Sequence, residues 1–313
     1  MKARSHAARV LLVGGGGGLL GRALLPELTD QFEVRSVHRH PVPMEATAGV
    51  EWIPADVSRL RDWGPILEDV DIVINVAWYR WGNNSRFRHL YEGLHALLET
   101  CRSMRVDRFL QVSVPNAPAS LENGLPYLTY KRRFDREVLS SGLSARVVRP
   151  TMMFAPSDRL LTVMLGLMKR YPWFPMFGDG EYHLSPIAAS DVARILVQEA
   201  NASSTGMVDA GGPVRYRYRD LTDLMFRALG RPPKYVSFGR GGSVALAQLV
   251  QDLGSTMIYA YEVTWLLSDL LGPAAYEGLE PPLARVEPFL DREARRLGGP
   301  GLPPVPPGPG TSG

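Results

Sequence analysis

The chain has 313 residues, 45% hydrophobic and 21% charged, an ordinary globular composition with enough apolar material for one large or two unequal domains. A formal charge of only +3, with basic residues scattered, leaves no electrostatic footprint for nucleic acid. No apolar run reaches the roughly 18 residues of a membrane span, and the single cysteine, Cys101, excludes an intrachain disulfide.

The N-terminal stretch MKARSHAARV lacks the apolar centre of a signal peptide, which predicts a cytoplasmic protein. From there, RVLLVG (9–14) predicts a buried strand and LLGRALLPELTD (19–30) a helix. FEVRSVHR (32–39) and VEWIPA (50–55) are strand-like, VSRLRDWGPILEDV (57–70) is an interrupted helix, and DIVINVA (71–77) is a strand. The pattern continues with a helix over 87–104, a strand over 107–114, a helix over 126–142 closed by Gly142, and a strand over 144–150. Short apolar strands alternating with helices specify an α/β, doubly wound parallel sheet.

After Pro150 the rhythm changes. Residues 151–185 mix a Met/Leu-rich helix with an aromatic, Pro- and Gly-containing stretch. A helix over 185–200, with Ser190 as its N-cap, and a strand over 206–212 return to the sheet. Further helices lie within 217–297. The domain reading is a doubly wound α/β domain over 1–150, rejoined by 186–212, and a smaller, mostly helical lobe over 151–185 and 213–297. The Pro/Gly-rich tail 298–313 is expected to be disordered or extended.

Five glycines, Gly14 to Gly18, stand between the first strand and the first helix. That frame is the context of a dinucleotide fingerprint rather than a spacer. Gly15 is expected to make the tight turn and Gly18 to let the backbone approach a pyrophosphate at the helix N-terminus. Gly21 is expected to let the helix pack closely. The six histidines show no zinc-type spacing, so no metal is expected.

The spacing Gly15-x-x-Gly18-x-x-Gly21 resembles the extended or atypical branch of the short-chain dehydrogenase/reductase superfamily, the NAD-dependent epimerase/dehydratase type. GGGGGLLG, ending in Leu19-Leu20-Gly21, is similar to that branch's TGGxGFLG. ADV (55–57), INVAW (74–78), VVRPTMMFAP (147–156), PIAASDVARILV (186–197) and VDAGGP (208–213) are similar to its later motifs. The resemblance spans roughly residues 9 to 240. It implies a cofactor site built from Gly15, Gly18, Leu19, Leu20, Asp56, Val57, Val76, Ala77, Lys131 and Pro150.

The second strand ends in VHRHP, with no carboxylate to accept from a ribose 2′-hydroxyl. Arg39 takes the phosphate-contacting place, with Arg22 able to help, so NADP(H) is expected rather than NAD(H). Tyr127 and Lys131 share a helix face at i, i+4 and match the superfamily's Tyr-x-x-x-Lys pair. That match implies that Tyr127 moves the substrate proton while Lys131 lowers the tyrosine's pKa and holds the nicotinamide ribose. Tyr130 lies off that face.

Other positions depart from the family. The catalytic serine's place falls on Val114, leaving Ser113 one residue early as the candidate. Leu90 stands where an asparagine orders the proton relay, and Asn116 and Ser120 are nearby polar substitutes. Two readings follow. One is an NADP(H)-dependent oxidoreductase or epimerase/dehydratase acting on a small carbonyl or hydroxyl substrate. The other is a non-catalytic NAD(P)H-binding protein, like the accessory subunit of respiratory complex I or the NmrA-like redox sensors. The expected partner is a small-molecule substrate walled by Trp78, Tyr79 and Trp81, or else those rings are core. No nucleic acid and no integral membrane span are expected. The helical stretch 244–267 is lobe core, a homodimer contact or a membrane-surface face.

Overall fold

Val10, Leu11, Leu12 and Val13 are fully buried in β1 (Arg9–Val13), as a strand covered on both faces requires. The computed structural model describes residues 8–15, 17–39, 49–117, 119–156, 160–253 and 259–303. After β1 come α1 (Leu19–Thr29), β2 (Glu33–His38), β3 (Val50–Pro54), α2 (Gly64–Leu67), β4 (Ile72–Asn75) and α3 (Asn84–Met104). The chain continues through β5 (Arg108–Val112), α4 (Ala119–Gly124), α5 (Pro126–Leu139) and β6 (Ser144–Pro150). Next are β7 (Met153–Phe154), α6 (Leu160–Arg170), β8 (Phe174–Phe177), β9 (His183–Leu184) and β10 (Ile187–Ala188). They are followed by α7 (Ala189–Asn201), β11 (Gly206–Ala210), β12 (Tyr216–Arg217), α8 (Tyr218–Ala228) and β13 (Tyr235–Phe238). The last described helices are α9 (Arg240–Asp252), α10 (Ala260–Leu266) and α11 (Glu287–Arg296).

Seven strands form one sheet in the order β11–β6–β5–β4–β1–β2–β3, and all of its pairings are parallel. The order reverses between β1 and β4, which makes the carboxyl ends of those strands the topological switch point. The sheet is the doubly wound Rossmann arrangement predicted from the sequence.

The described residues fall into two units. The first holds the sheet and comprises residues up to Thr151, Ala189–Gly211 and Pro273–Pro282. The last segment, placed in the second lobe by the sequence, is bound here. Tyr276 donates its N–H to the Gly211 carbonyl at 3.0 Å, and Arg194 donates to the Pro281 carbonyl at 2.6 Å. The second unit comprises Met152–Ala188, Gly212–Gly272 and residues from Leu283 onward. Its helices enclose a core that includes Leu165, Met168, Met176, Leu221, Met225 and Leu290. The methionines of the Met/Leu-rich run therefore pack inside this unit.

Three local expectations change. The helix expected over 57–70 shrinks to Gly64–Leu67. Asp56 turns the chain by accepting from the Ser58 amide and hydroxyl at 3.0 and 2.7 Å, and the following turns lie against α3. There the Trp63 indole donates to the Gly93 carbonyl at 3.0 Å, and a Cβ on Gly93 would stand 1.8 Å from the Val57 carbonyl oxygen. Ser190 is not an N-cap, because α7 already begins at Ala189. The tail is docked as far as residue 303. Gly299 and Gly301 donate to the Ala294 and Ala228 carbonyls, and the Leu302 N–H donates to Asp291 at 2.7 Å. Residues 304–313, also predicted to be disordered or extended, lie outside the described residues.

Candidate functional site

The chain must turn between Val13 and Leu19. Among the described residues of this turn, the left-handed one is Gly14, at φ +83°, rather than the expected Gly15. β1 ends one residue earlier than the RVLLVG run, so the bend begins at Gly14. A Cβ there would lie 2.3 Å from the Ala77 Cβ. Gly15 is wedged, with Leu12 and Val76 side-chain atoms each 2.9 Å from where its Cβ would stand. A Cβ on Gly21 would fall 1.2 Å from the Gly15 carbonyl oxygen, so α1 rests directly on the turn.

Gly18 differs from all of these, since nothing lies within 4 Å of its Cβ position. It caps α1 without a side-chain hydrogen bond. The first-turn amides, those of Leu19 and Leu20 among them, have no acceptor within the helix. An anion can be received there.

At the end of β2 the His38 ring lies against this turn, its Nε2 3.4 Å from the Gly17 Cβ position. Arg39 is exposed beyond it, and Arg22 is exposed on α1. Asp56 is half-buried, which pushes its carboxyl up. The two Ser58 hydrogen bonds and the charges of Arg39 and Arg59 outweigh this and hold it below the usual carboxylate range. Val57 beside it is buried.

The carboxyl ends of β4 and β5 carry a buried polar pair. Asn75 and Gln111 are register partners, and the Asn75 amide donates to Gln111 Oε1 at 2.7 Å. Asn75 Oδ1 accepts from the Ala77 amide at 3.0 Å, and Val76 donates its amide to Val13. Gln111 Nε2 donates to the Val112 carbonyl at 3.1 Å. Pro150, at the end of β6, is buried next to Ala210.

Lys131 reaches the same carbonyl from α5. Its ammonium donates to the Val112 oxygen at 3.0 Å and stands 4.4 Å from the Trp78 ring centroid. The residue is 3% exposed. Burial pushes the lysine down, Asp135 partly restores it and Arg132 lowers it again, leaving it at about 8. Tyr127, one helical turn earlier on α5, is half-buried. Its ring meets Trp78 and Phe87 edge-on, at 6.3 and 5.8 Å between centroids. Tyr130 instead packs against Tyr91. Trp78 thus touches both members of the Tyr–Lys pair, and its buried indole N–H meets no acceptor among the described residues. Tyr79 lies under the Arg86 guanidinium, and Trp81 is exposed.

Ser113 is not delivered to this cluster. Its hydroxyl donates to Asp135 Oδ2 at 2.5 Å, and Arg132 bridges Asp135 at 3.0 Å and the Val114 carbonyl at 2.9 Å. All three side chains are buried, so the serine belongs to an ion pair that fastens α5 to the end of β5. Asn116 accepts from Arg149, which also pairs with Asp209 at 2.8 Å, and Ser120 is exposed. Leu90 is core. Sequence reasoning missed the Asn75–Gln111 pair and the Arg132–Asp135 pair. A polar residue inside each of two apolar strands was the available signal for the first.

A family model described as NAD(P)H-binding matches residues 15–202. The chain belongs to this NAD(P)H-binding family. The NAD(P)H-binding chain is 29% identical over 132 residues to NADH dehydrogenase [ubiquinone] 1 alpha subcomplex subunit 9, mitochondrial, of Arabidopsis thaliana. That match takes in 41% of this chain and 32% of the plant subunit, about a third of its length. A ceramide reductase of Caulobacter vibrioides is 25% identical over 258 residues, 80% of each chain. Among solved structures, a nucleoside-diphosphate-sugar epimerase of Staphylococcus aureus superposes with a TM-score of 0.73 at 15% identity, over 90% of this chain and 99% of that one. The fold is that of the extended short-chain dehydrogenase/reductases, as the sequence motifs imply. Among the described residues, no group of three or more His, Cys, Asp and Glu side chains could hold a metal ion. No described helix is long and apolar enough to cross a membrane.

Proposed function

We propose that the protein is an NADP(H)-dependent oxidoreductase acting on a small carbonyl or hydroxyl substrate, with Tyr127 as acid–base and Lys131 as its charged partner. The observation that carries this reading is the dry ammonium of Lys131 on the Tyr127 face of α5, pinned between the Val112 carbonyl and the Trp78 ring. The fit to a dinucleotide is supported by the open Gly18 position, the first-turn amides of α1 that lack an acceptor within the helix and the unmatched Trp78 indole N–H. Gly15, Gly18, Leu19 and Leu20 would hold the pyrophosphate and Arg39 a 2′-phosphate. Asp56 and Val57 would border the adenine, with Val76, Ala77, Lys131 and Pro150 along the nicotinamide half. When bound, the nicotinamide supplies or accepts the hydride.

Tyr127 gives its phenolic proton to the substrate oxygen in reduction and takes it back in oxidation. A tyrosine ordinarily titrates near 10, and a cation held in a water-poor site favours its ionised form. Lys131 at about 8 carries its proton at neutral pH. Ser113, engaged by Asp135, takes no part. The single cysteine is buried, which suits a reducing, cytoplasmic setting.

The test is a panel of carbonyl substrates with NADPH. Tyr127→Phe should keep cofactor affinity and lower turnover by roughly 10²–10⁴, Lys131→Met should damage both, and Tyr130→Phe should do little. A second reading, a cofactor-binding accessory protein, is favoured by the Trp78 ring lying over Lys131 and by the loss of the serine. It requires that Tyr127→Phe be silent and that Lys131→Met affect binding alone. A substrate turned over equally fast by Tyr127→Phe would overturn the proposed mechanism.

A further inference from the structure

The second unit carries a basic and aromatic edge with no place in the reaction above. α6 ends in Lys169 and Arg170, and the chain then passes through Tyr171, Pro172 and Trp173 into β8. All five residues are exposed, Tyr171 by 45% and Trp173 by 46%. β13 runs parallel to β8 with Tyr235 beside Phe174, and the Phe174 amide donates to the Lys234 carbonyl at 2.9 Å. The segment entering β13, Arg231-Pro232-Pro233-Lys234, therefore runs beside the segment entering β8.

Arg231 ties the two together by donating to the carbonyls of Met168 and Lys169, the latter at 2.6 Å. Lys169 is anchored on the Leu297 carbonyl, and the Arg170 guanidinium lies 5.8 Å from the Tyr171 ring centroid. The two segments contain two of the chain's four lysines, two arginines and no carboxylate.

These features select an occupant. Exposed Trp and Tyr rings have apolar bodies and polar handles, and such rings concentrate at the headgroup level of bilayers. The three prolines fix the backbone of both segments, so little is lost in ordering them on contact. Cations without a neighbouring carboxylate are attracted to anionic headgroups, each strengthening binding by about fivefold close to the surface. A single-stranded nucleic acid would need a groove that follows its backbone, whereas these rings stand at the entry of a two-stranded ladder. An acidic peptide would use the charges and leave the rings wet.

We propose that this edge rests on an anionic lipid bilayer, with Tyr171 and Trp173 at the headgroup level and Arg170 and Lys234 on lipid phosphates. Lys169 and Arg231 add charge while holding the two segments side by side. The protein would then lie on a membrane without spanning it.

The full chain is sedimented with phosphatidylcholine vesicles containing about 30% phosphatidylglycerol, and with vesicles of phosphatidylcholine alone. Binding is expected only to the anionic vesicles and should weaken with added salt. Arg170→Glu combined with Lys234→Glu should reduce it at least tenfold, and Tyr171→Ala combined with Trp173→Ala at least fivefold. Arg170→Lys combined with Lys234→Arg should retain it, and circular dichroism should show all variants folded. Equal sedimentation with both vesicle types, or folded charge-reversal and ring variants within twofold of the wild type, would overturn the proposal. So would retention of the wild type on polyglutamate or single-stranded oligonucleotide with no vesicle binding.

Discussion

Replacing Lys131 with Met removes a buried charge and keeps a side chain of similar length. The Val112 carbonyl retains its Gln111 donor and Asp135 retains Arg132, so no buried partner is orphaned. An ordinary lysine titrates near 10.5 and Lys131 at about 8, a difference worth about 3 kcal/mol. Below pH 8 the folded and unfolded chains both carry the proton, and the folded state bears the full cost of a dry ammonium. Between pH 8 and 10.5 the unfolded lysine keeps its proton while the folded one has lost it, so stability rises with pH. Above 10.5 neither carries it. The wild type should therefore gain about 3 kcal/mol relative to Lys131→Met across that interval. Burial also raises the Cys101 thiol, which costs alkaline stability in both proteins and cancels in the difference. Urea unfolding followed by circular dichroism, on both proteins at closely spaced pH values, gives the curve. A difference that stays constant from pH 7.5 to 10.5 would mean that the ammonium is hydrated, and its proposed effect on Tyr127 would fall with it.

Gly21→Ala should lose more than about 3 kcal/mol, because its Cβ would overlap the Gly15 carbonyl. Gly18→Val should unfold within about 0.5 kcal/mol of the wild type yet lose dinucleotide affinity; calorimetry and nicotinamide fluorescence separate the two. Ser113→Ala should cost about 1–3 kcal/mol by leaving buried Asp135 short of a donor, with kcat unchanged; a large loss of kcat in the folded variant would return Ser113 to the reaction. Arg39→Ala should reduce a preference for NADPH over NADH by tens- to hundredfold, read by fluorescence titration, and equal affinities in the wild type would refute the role of Arg39.

The strands of the sheet were legible because burial on both faces leaves uninterrupted apolar runs such as Val10–Val13 and Ile72–Ile74. The Tyr127–Lys131 pair was legible because i, i+4 spacing on a helix fixes a shared face. Ser113 was not, because consecutive strand residues point to opposite faces and a one-residue offset decides which partner each meets. Within five successive glycines, nothing local tells which will take a positive φ. Lys131's surroundings come from Val112 and Trp78, on other elements of the chain, so its burial could not be read from α5 alone. The two-residue strands of the second unit are too short to carry a periodic signal.

The brace formed by Pro273–Pro282 bears on how the protein is made. The Gly211 carbonyl accepts from Tyr276, and the Tyr276 hydroxyl donates to Glu199 at 3.2 Å. A Cβ on Gly211 would stand 2.3 Å from the Ala274 carbonyl oxygen. The seventh strand of the sheet thus leaves the ribosome roughly sixty residues before the segment that seals its end. A nascent chain halted between residues 212 and 272 would hold all seven strands but lack that seal, and the Met152–Ala188 segment of the second unit would already have been synthesised. The contacts of the first unit are therefore complete only once residues 273–282 have been made, and a chain ending between 212 and 272 should invite proteolysis at the carboxyl end of β11.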